Sequence, residues 1–287
     1  MAGGAADIET VTEGGVRTIT FARPERRNGM DLPMFAAYYD ALAEAEADDG
    51  VRAIVVTGAR SSFCSGATPE LLAQLASSGQ QPGQQPGPVE ESLDSALGHP
   101  AHLPLTMGTP LIAAINGSAA GLGLVHALFA DVRFMADEAQ LSAVFSRFGL
   151  VAEYGAAWLL PRLVGVGNAM DLLLSSRAVG AAEALRIGLV QRTAPRSEVL
   201  GAAQEYARQL AEFTSPTSMA IIKRQILDGL RTPAAEAVTE SIALMRESFN
   251  RPDLSEALAS TREHRKPAFG PRALTTPPGA PEPSNAQ

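Results

Sequence analysis

Two apolar runs in this chain stop in the same way. Residues Leu111–Ile115 are uninterruptedly apolar, the mark of a strand buried on both faces. The run breaks at Asn116-Gly117-Ser118-Ala119-Ala120-Gly121-Leu122-Gly123 and restarts as an apolar helical stretch over residues 124–130. Residues 51–58 (Val-Arg-Ala-Ile-Val-Val-Thr-Gly) read as a second strand and run into the small residues of 61–67 (Ser-Ser-Phe-Cys-Ser-Gly-Ala). A strand that ends at glycine and resumes as a helix leaves main-chain N–H groups free at the helix start, where the helix dipole favours negative charge. Two such turns facing each other would supply two donors for one developing oxyanion. A glycine turn taken alone is equally a tight connection.

The rest of the pattern is α/β, then mostly α. Residues 16–21 alternate like a strand, and 32–47 have helical composition with Asp31 placed to cap and Pro33 near the first turn. A strand is expected after Asp131. Residues 157–176 read as two helical pieces, with Pro161 near a bend and Gly165-Val166-Gly167 as the break. A short helix over 181–187 stops at Gly188, and the pattern is helical from Glu198 to about His264. Residues 77–88, rich in Gln, Gly, Pro and Ser, predict a mobile surface loop, and the Pro-rich 271–287 predict a disordered tail. The expected division is 1–200 as core, 201–270 as a helical region and 271–287 as tail. No internal sequence repeat stands out.

Composition narrows the function classes. The chain has 287 residues, 46% of them hydrophobic, which is ordinary for a globular enzyme. A net charge of −8 argues against a nucleic-acid partner, because phosphate binding needs a basic face. The single cysteine, Cys64, excludes an intrachain disulfide and suits a reducing, cytoplasmic setting. No leader, charge-free apolar run of about 18 residues, or Cys/His cluster at metal-ligand spacing is read, so neither a membrane partner nor a metal is expected. Ser118 lacks the surroundings of a nucleophile elbow, which argues against an α/β-hydrolase.

The order Arg23-Pro-Glu-Arg-Arg-Asn28, Phe63-Cys-Ser-Gly-Ala67 and Ala113-Ala-Ile-Asn-Gly117 through Gly123 resembles the crotonase (enoyl-CoA hydratase/isomerase) superfamily, over about residues 16–269. The resemblance implies an α/β fold of the ClpP/crotonase type, stacked ββα units followed by a C-terminal helical trimerisation region. It implies an acyl-CoA substrate, with coenzyme A as part of the thioester and no separate cofactor, and a homotrimer or dimer of trimers. The main-chain N–H groups of Ala67 and Leu122 would hold the thioester oxygen. Arg26, Arg27, Ser65, Gly66, Thr68 and Gly121 match the segments around the CoA, with Thr68 where aspartate is common. Lys266, with Arg262 and Arg265, would lie near the CoA of a neighbouring subunit, or form a solvated helix end.

The base departs from the hydratase pattern. Family hydratases carry two glutamates that activate water; this chain has Val125 and Phe145 at those positions. Phe145-Ser-Arg-Phe-Gly-Leu-Val-Ala-Glu153 is instead similar to the segment of peroxisomal-type Δ3,Δ2-enoyl-CoA isomerases that bears a single catalytic glutamate, which carries over to Glu153, with Ala152 replacing the usual proline. Phe145, Phe148, Val151 and Trp158 are expected to supply the apolar surroundings that raise a carboxyl pKa. The competing reading of Glu153 is a helix N-terminal residue. His126 is expected in the core, and His99 and His102 in a loop near the acyl pocket. Hydration, C–C hydrolysis and a silent acyl-CoA-binding member remain open beside isomerisation, because one fold hosts many reactions.

Overall fold

The structure is a computed structural model that describes residues 7–78 and 98–273. Contacts divide the chain into two units, Met1–Phe213 and Thr214–Gln287.

The first unit is built on a six-stranded sheet: β1 (Ile8–Glu13), β2 (Val16–Phe21), β3 (Ala53–Gly58), β5 (Leu111–Ile115), β7 (Val132–Ala136) and β10 (Arg192–Ala194), in that spatial order. Only the β1–β2 pair is antiparallel. Every residue of β3 and β5 is buried, which explains why these central parallel strands read as unbroken apolar runs. A smaller sheet has the order β4 (Ser62–Cys64), β6 (Ser118–Ala120), β8 (Gln140–Ser142) and β9 (Val179–Gly180). Strands β3, β5 and β7 each hand the chain to the next strand of the small sheet. This places three ββα units side by side, as the α/β crotonase-type fold requires.

Helices fill the faces. α1 (Leu32–Ala47) is capped by Asp31, whose side chain accepts the Met34 N–H at 3.0 Å. It buries Phe35, Tyr38, Tyr39 and Leu42, with Tyr38 edge-on to Phe21 of β2 at 5.0 Å. α2 (Pro69–Ser78) follows β4 and α3 (Leu103–Thr106) precedes β5. α4 (Leu122–Phe129) follows β6 and is buried throughout. α5 (Ala156–Ser175) is long and apolar enough by composition to span a membrane, but it contains Pro161, Arg162 and Asp171, and its backbone is non-helical at Gly165, where the break was expected. α6 (Ala181–Arg186) is short. α7 (Arg196–Phe213) buries Val199, Ala203 and Ala207, one every four residues, and packs on the large sheet. That packing makes α7 part of the first unit, although its sequence reads as the start of the helical region.

The second unit holds α8 (Pro216–Gly229), α9 (Ala234–Ser248) and α10 (Pro252–Arg262). Ser215 caps α8 through the Ser218 N–H at 3.0 Å and its hydroxyl donates to Asp253. Residues 79–88 of the predicted loop and 274–287 of the predicted tail lie outside the described residues.

Candidate active site

The site is assembled from the ends of β4 and β6. These strands pair in parallel, with Cys64 opposite Ala119, so the turns that follow them emerge together. The first turn is Ser65-Gly66-Ala67. Met30 pairs with it on one side: its N–H reaches the Gly66 carbonyl at 2.8 Å, and its carbonyl accepts the Thr68 N–H at 2.9 Å. Across a trans peptide the Ala67 N–H points opposite to the Gly66 carbonyl, hence away from Met30. The second turn is Gly121-Leu122, where Leu122 opens α4 and its N–H has no partner in the preceding turn of helix. Neither of these two N–H groups has an acceptor among the described residues.

The turns touch. Gly66 has φ +89°, and a Cβ there would lie 2.6 Å from the Ala120 carbonyl oxygen and 3.2 Å from the Leu122 nitrogen. A Cβ on Gly123 would lie 2.1 Å from the Cys64 oxygen. Backbone approach this close admits only glycine at both places. It brings the turn that holds Ala67 against the turn that holds Leu122.

Two buried asparagines hold the strands leading into the turns. Asn28 donates through Nδ2 to the carbonyls of Ala59 (3.2 Å), Ser62 (2.8 Å) and Phe63 (3.2 Å), and its Oδ1 accepts the Arg23 N–H at 3.1 Å. Asn116 donates to the carbonyls of Gly58 (2.7 Å) and Arg60 (2.9 Å) and accepts the Gly58 N–H at 3.1 Å. Sequence reading placed both in motifs and gave neither a role. Asn116 ends an apolar strand and Asn28 follows the short helical turn Pro24–Arg26, and the carbonyls that each side-chain amide binds lie more than thirty residues away.

Arg26, Arg27, Ser65, Ala67 and Thr68 line one open groove of about 270 Å³ beside the first turn. Arg27 has a left-handed backbone, φ 52°, and its carbonyl accepts the Ser65 N–H at 3.1 Å, which ties the two segments. Arg26 is exposed and faces Glu70 at 3.3 Å, an ion pair of little weight in water. Thr68 is buried and its hydroxyl accepts the Leu71 N–H at 3.2 Å, so it serves as the cap of α2. Gly121 takes part through its backbone, donating to the Ser142 carbonyl at 3.1 Å. Lys266 belongs to the second unit.

Val125 and Phe145 are both buried. Glu153 lies in the turn between the single helical turn Phe145–Phe148 and α5. It is half-buried, and its carboxylate has no hydrogen bond among the described residues; burial raises its pKa above the usual carboxylate value. Tyr154 follows with φ 48° and Gly155 with φ 78°. The Tyr154 phenol is pushed up to about 12 by burial and by the neighbouring Glu153 charge. Its ring packs edge-on to Phe35 at 5.5 Å, and Phe35 packs on His126 at 5.2 Å. This chain of rings ties the Glu153 turn to α4. Two of the expected apolar neighbours do not enclose the carboxyl: Phe148 is 66% and Val151 78% exposed, because the chain reverses at Gly149, φ 69°.

The other candidates take structural places. His126 is buried among Phe21, Phe35, Tyr38 and Tyr39, with Nε2 3.2 Å from Met30 Sδ. Thioether sulfur only accepts, so Nε2 carries the proton. Burial lowers the His126 pKa to about 3. His99 meets Asp40 at 3.0 Å, and His102 precedes α3. Cys64 is fully buried and its thiol is pushed up to about 12, which removes it as a nucleophile.

A family model described as enoyl-CoA hydratase/isomerase matches residues 11–272. The probable enoyl-CoA hydratase EchA12 of Mycobacterium bovis is 34% identical over 261 residues, covering 88% of this chain and 89% of its own. The 1,2-epoxyphenylacetyl-CoA isomerase of Escherichia coli is 35% identical over 216 residues, covering 75% and 79%. The crystal structure of a probable enoyl-CoA hydratase/isomerase from Mycobacterium abscessus superposes with a TM-score of 0.80 at 30% identity, over 92% of this chain and 99% of that one.

Proposed function

The chain belongs to the enoyl-CoA hydratase/isomerase family, and from that premise we propose that it shifts the double bond of a 3-enoyl-CoA to the 2-position, with Glu153 as its single base. The observation that carries this reading is the exchange of carboxylates. The two positions that activate water in family hydratases hold buried Val125 and Phe145, which cannot exchange a proton, while Glu153 offers a half-buried carboxyl of raised pKa.

In this mechanism the Glu153 carboxylate takes a proton from C2 of the 3-enoyl thioester. The electron pair spreads over C2, C4 and the thioester oxygen. The Ala67 and Leu122 N–H groups donate to that oxygen, each worth roughly 3 kcal/mol of barrier when such donors are removed elsewhere. The protonated Glu153 then gives its proton to C4, leaving the 2-enoyl thioester and the carboxylate. A raised pKa suits both halves, because the acid must hold the proton long enough to return it. The groove beside Arg26 and Arg27 takes the CoA portion, and Lys266 joins it from a neighbouring subunit of a trimer or dimer of trimers. Apolar side chains left exposed on the second unit, such as Ile226, Ile242 and Leu258, favour such an assembly. The buried reduced Cys64 suits a cytoplasmic enzyme.

Hydration is the second reading, favoured by relatives described as enoyl-CoA hydratases. Offering the protein trans-3-enoyl-CoA and trans-2-enoyl-CoA separately, and measuring isomer and 3-hydroxyacyl product, decides between them. Isomer formed from the 3-enoyl substrate with no hydrated product is expected. Rapid hydrated product from the 2-enoyl substrate would replace this reading with the second.

A further inference from the structure

We propose that the sulfur of Cys64 is a positioning group that sets the aim of the oxyanion donors. The inference rests on the reading of Ala67 and Leu122 as those donors, but not on the identity of the base. Cys64 Sγ accepts the Gly66 N–H at 3.4 Å. The backbone of Gly66 is therefore held from both ends: its N–H by the Cys64 sulfur, its carbonyl by the Met30 N–H at 2.8 Å. Fixing both peptide planes fixes the left-handed torsion of Gly66, and the trans peptide to Ala67 then fixes the direction of the Ala67 N–H.

The same residue touches the other turn. The Cys64 carbonyl oxygen and Cβ stand 2.1 Å and 2.8 Å from where a Cβ of Gly123 would be, so the first turn of α4 rests directly on Cys64. The pairing of β4 with β6 shifts register between Ser62 and Cys64, so the ladder is irregular just before the turn. A side chain at 64 supplies the acceptor that the Gly66 amide finds here. Sulfur suits the place. It is a weak acceptor on a long bond, reaching an amide two residues ahead, and with its pKa raised to about 12 it stays a neutral thiol that brings no charge next to the forming enolate.

The test reads carbonyl polarisation apart from turnover. The probe is a CoA thioester of a conjugated aryl-acrylate, whose absorption moves to the red when its carbonyl is polarised. Wild type is expected to red-shift the bound probe. Cys64→Ala and Cys64→Val, which lack an acceptor at smaller and larger volume, are expected to lose most of the shift. Their kcat should fall about 10- to 100-fold, up to the lower end of the effect of losing one such donor outright. Their dissociation constant for a saturated acyl-CoA should stay within about threefold, since uniform binding is untouched. Cys64→Ser, which keeps an acceptor, is expected to recover much of both shift and kcat. Full red shift and full kcat in the alanine and valine variants would overturn the proposal. So would a serine variant as impaired as alanine, since the effect would then be one of packing. A wild-type protein that binds the probe with no shift would overturn the oxyanion reading itself, a result distinct from either.

Discussion

At the scale of single residues, the polar groups near the site fall into two kinds. Glu153, the two N–H groups, Arg26 and Ser65 are open, whereas Asn28, Asn116, Thr68 and His126 are buried. His126 is the clearest of the buried kind. Its sequence position, one after the place of a hydratase glutamate, invites a catalytic role, yet its ring is sealed by four aromatic rings and its Nδ1 has no partner among the described residues. Its folded-state pKa of about 3 lies below the ordinary 6.5. Below pH 6.5 the unfolded chain gains a proton there that the folded chain refuses until about pH 3, so stability is lost as pH falls through that window. Between pH 7 and pH 5 this amounts to about 2 kcal/mol. Urea unfolding of wild type and His126→Leu at the two pH values checks it: the wild type is expected to lose about 2 kcal/mol more than the variant. Equal losses would show that another group carries the acid sensitivity.

At the scale of elements, two strand ends and one short helix make the site, and their contact leaves no room for side chains. Arg133 of β7 braces the far end of that helix: its buried guanidinium donates to the carbonyls of Leu128, Ala130 and, at 2.9 Å, Leu189. At the near end, Gly66→Ala would drive a Cβ to 2.6 Å from the Ala120 oxygen and force φ +89° on an L-residue. The turns must part, and kcat is expected to fall about 10²-fold, the effect of losing one oxyanion donor. Gly201→Ala serves as control. It lies exposed within α7 with nothing near its added Cβ, and is expected to keep full activity and gain up to about 1 kcal/mol in stability. If Gly66→Ala retains wild-type kcat, the packed-turn geometry is not what positions the donors.

Elements also explain what could be read from the sequence. β3 and β5 were legible because both faces of each are buried. β1 was not, since only Ile8 of Ile8–Glu13 is buried and an edge strand so exposed shows no apolar alternation. The strands of the small sheet have two or three residues each, too few for any period to register. The turns of the site were legible through their glycines. The grip of Asn28 and Asn116 was not, because it is made by carbonyls distant in sequence. The surroundings of Glu153 were misjudged for a related reason: Phe148 and Val151 are neighbours along the chain and turn outward, while the Tyr154–Phe35 contact bridges more than a hundred residues.

At the scale of the whole molecule, the proposed function sets a family fold against buried Val125 and Phe145, which stand where the resemblance expects water-activating glutamates. The ββα units bring the turns at Ala67 and Leu122 into contact and leave an open groove beside Arg26 and Arg27. The family scaffold is therefore compatible with more than one reaction, and the location of the base decides among them. The proposed function makes Glu153 the only base. It is tested most directly by measuring kcat on trans-3-enoyl-CoA for wild type and Glu153→Gln, with the dissociation constant of a saturated acyl-CoA measured on both. The kcat is expected to fall by about 10²- to 10⁴-fold, the usual worth of a general base, with acyl-CoA affinity preserved within about threefold. Isomerisation by Glu153→Gln within tenfold of wild type would contradict it and assign the proton transfer to another group.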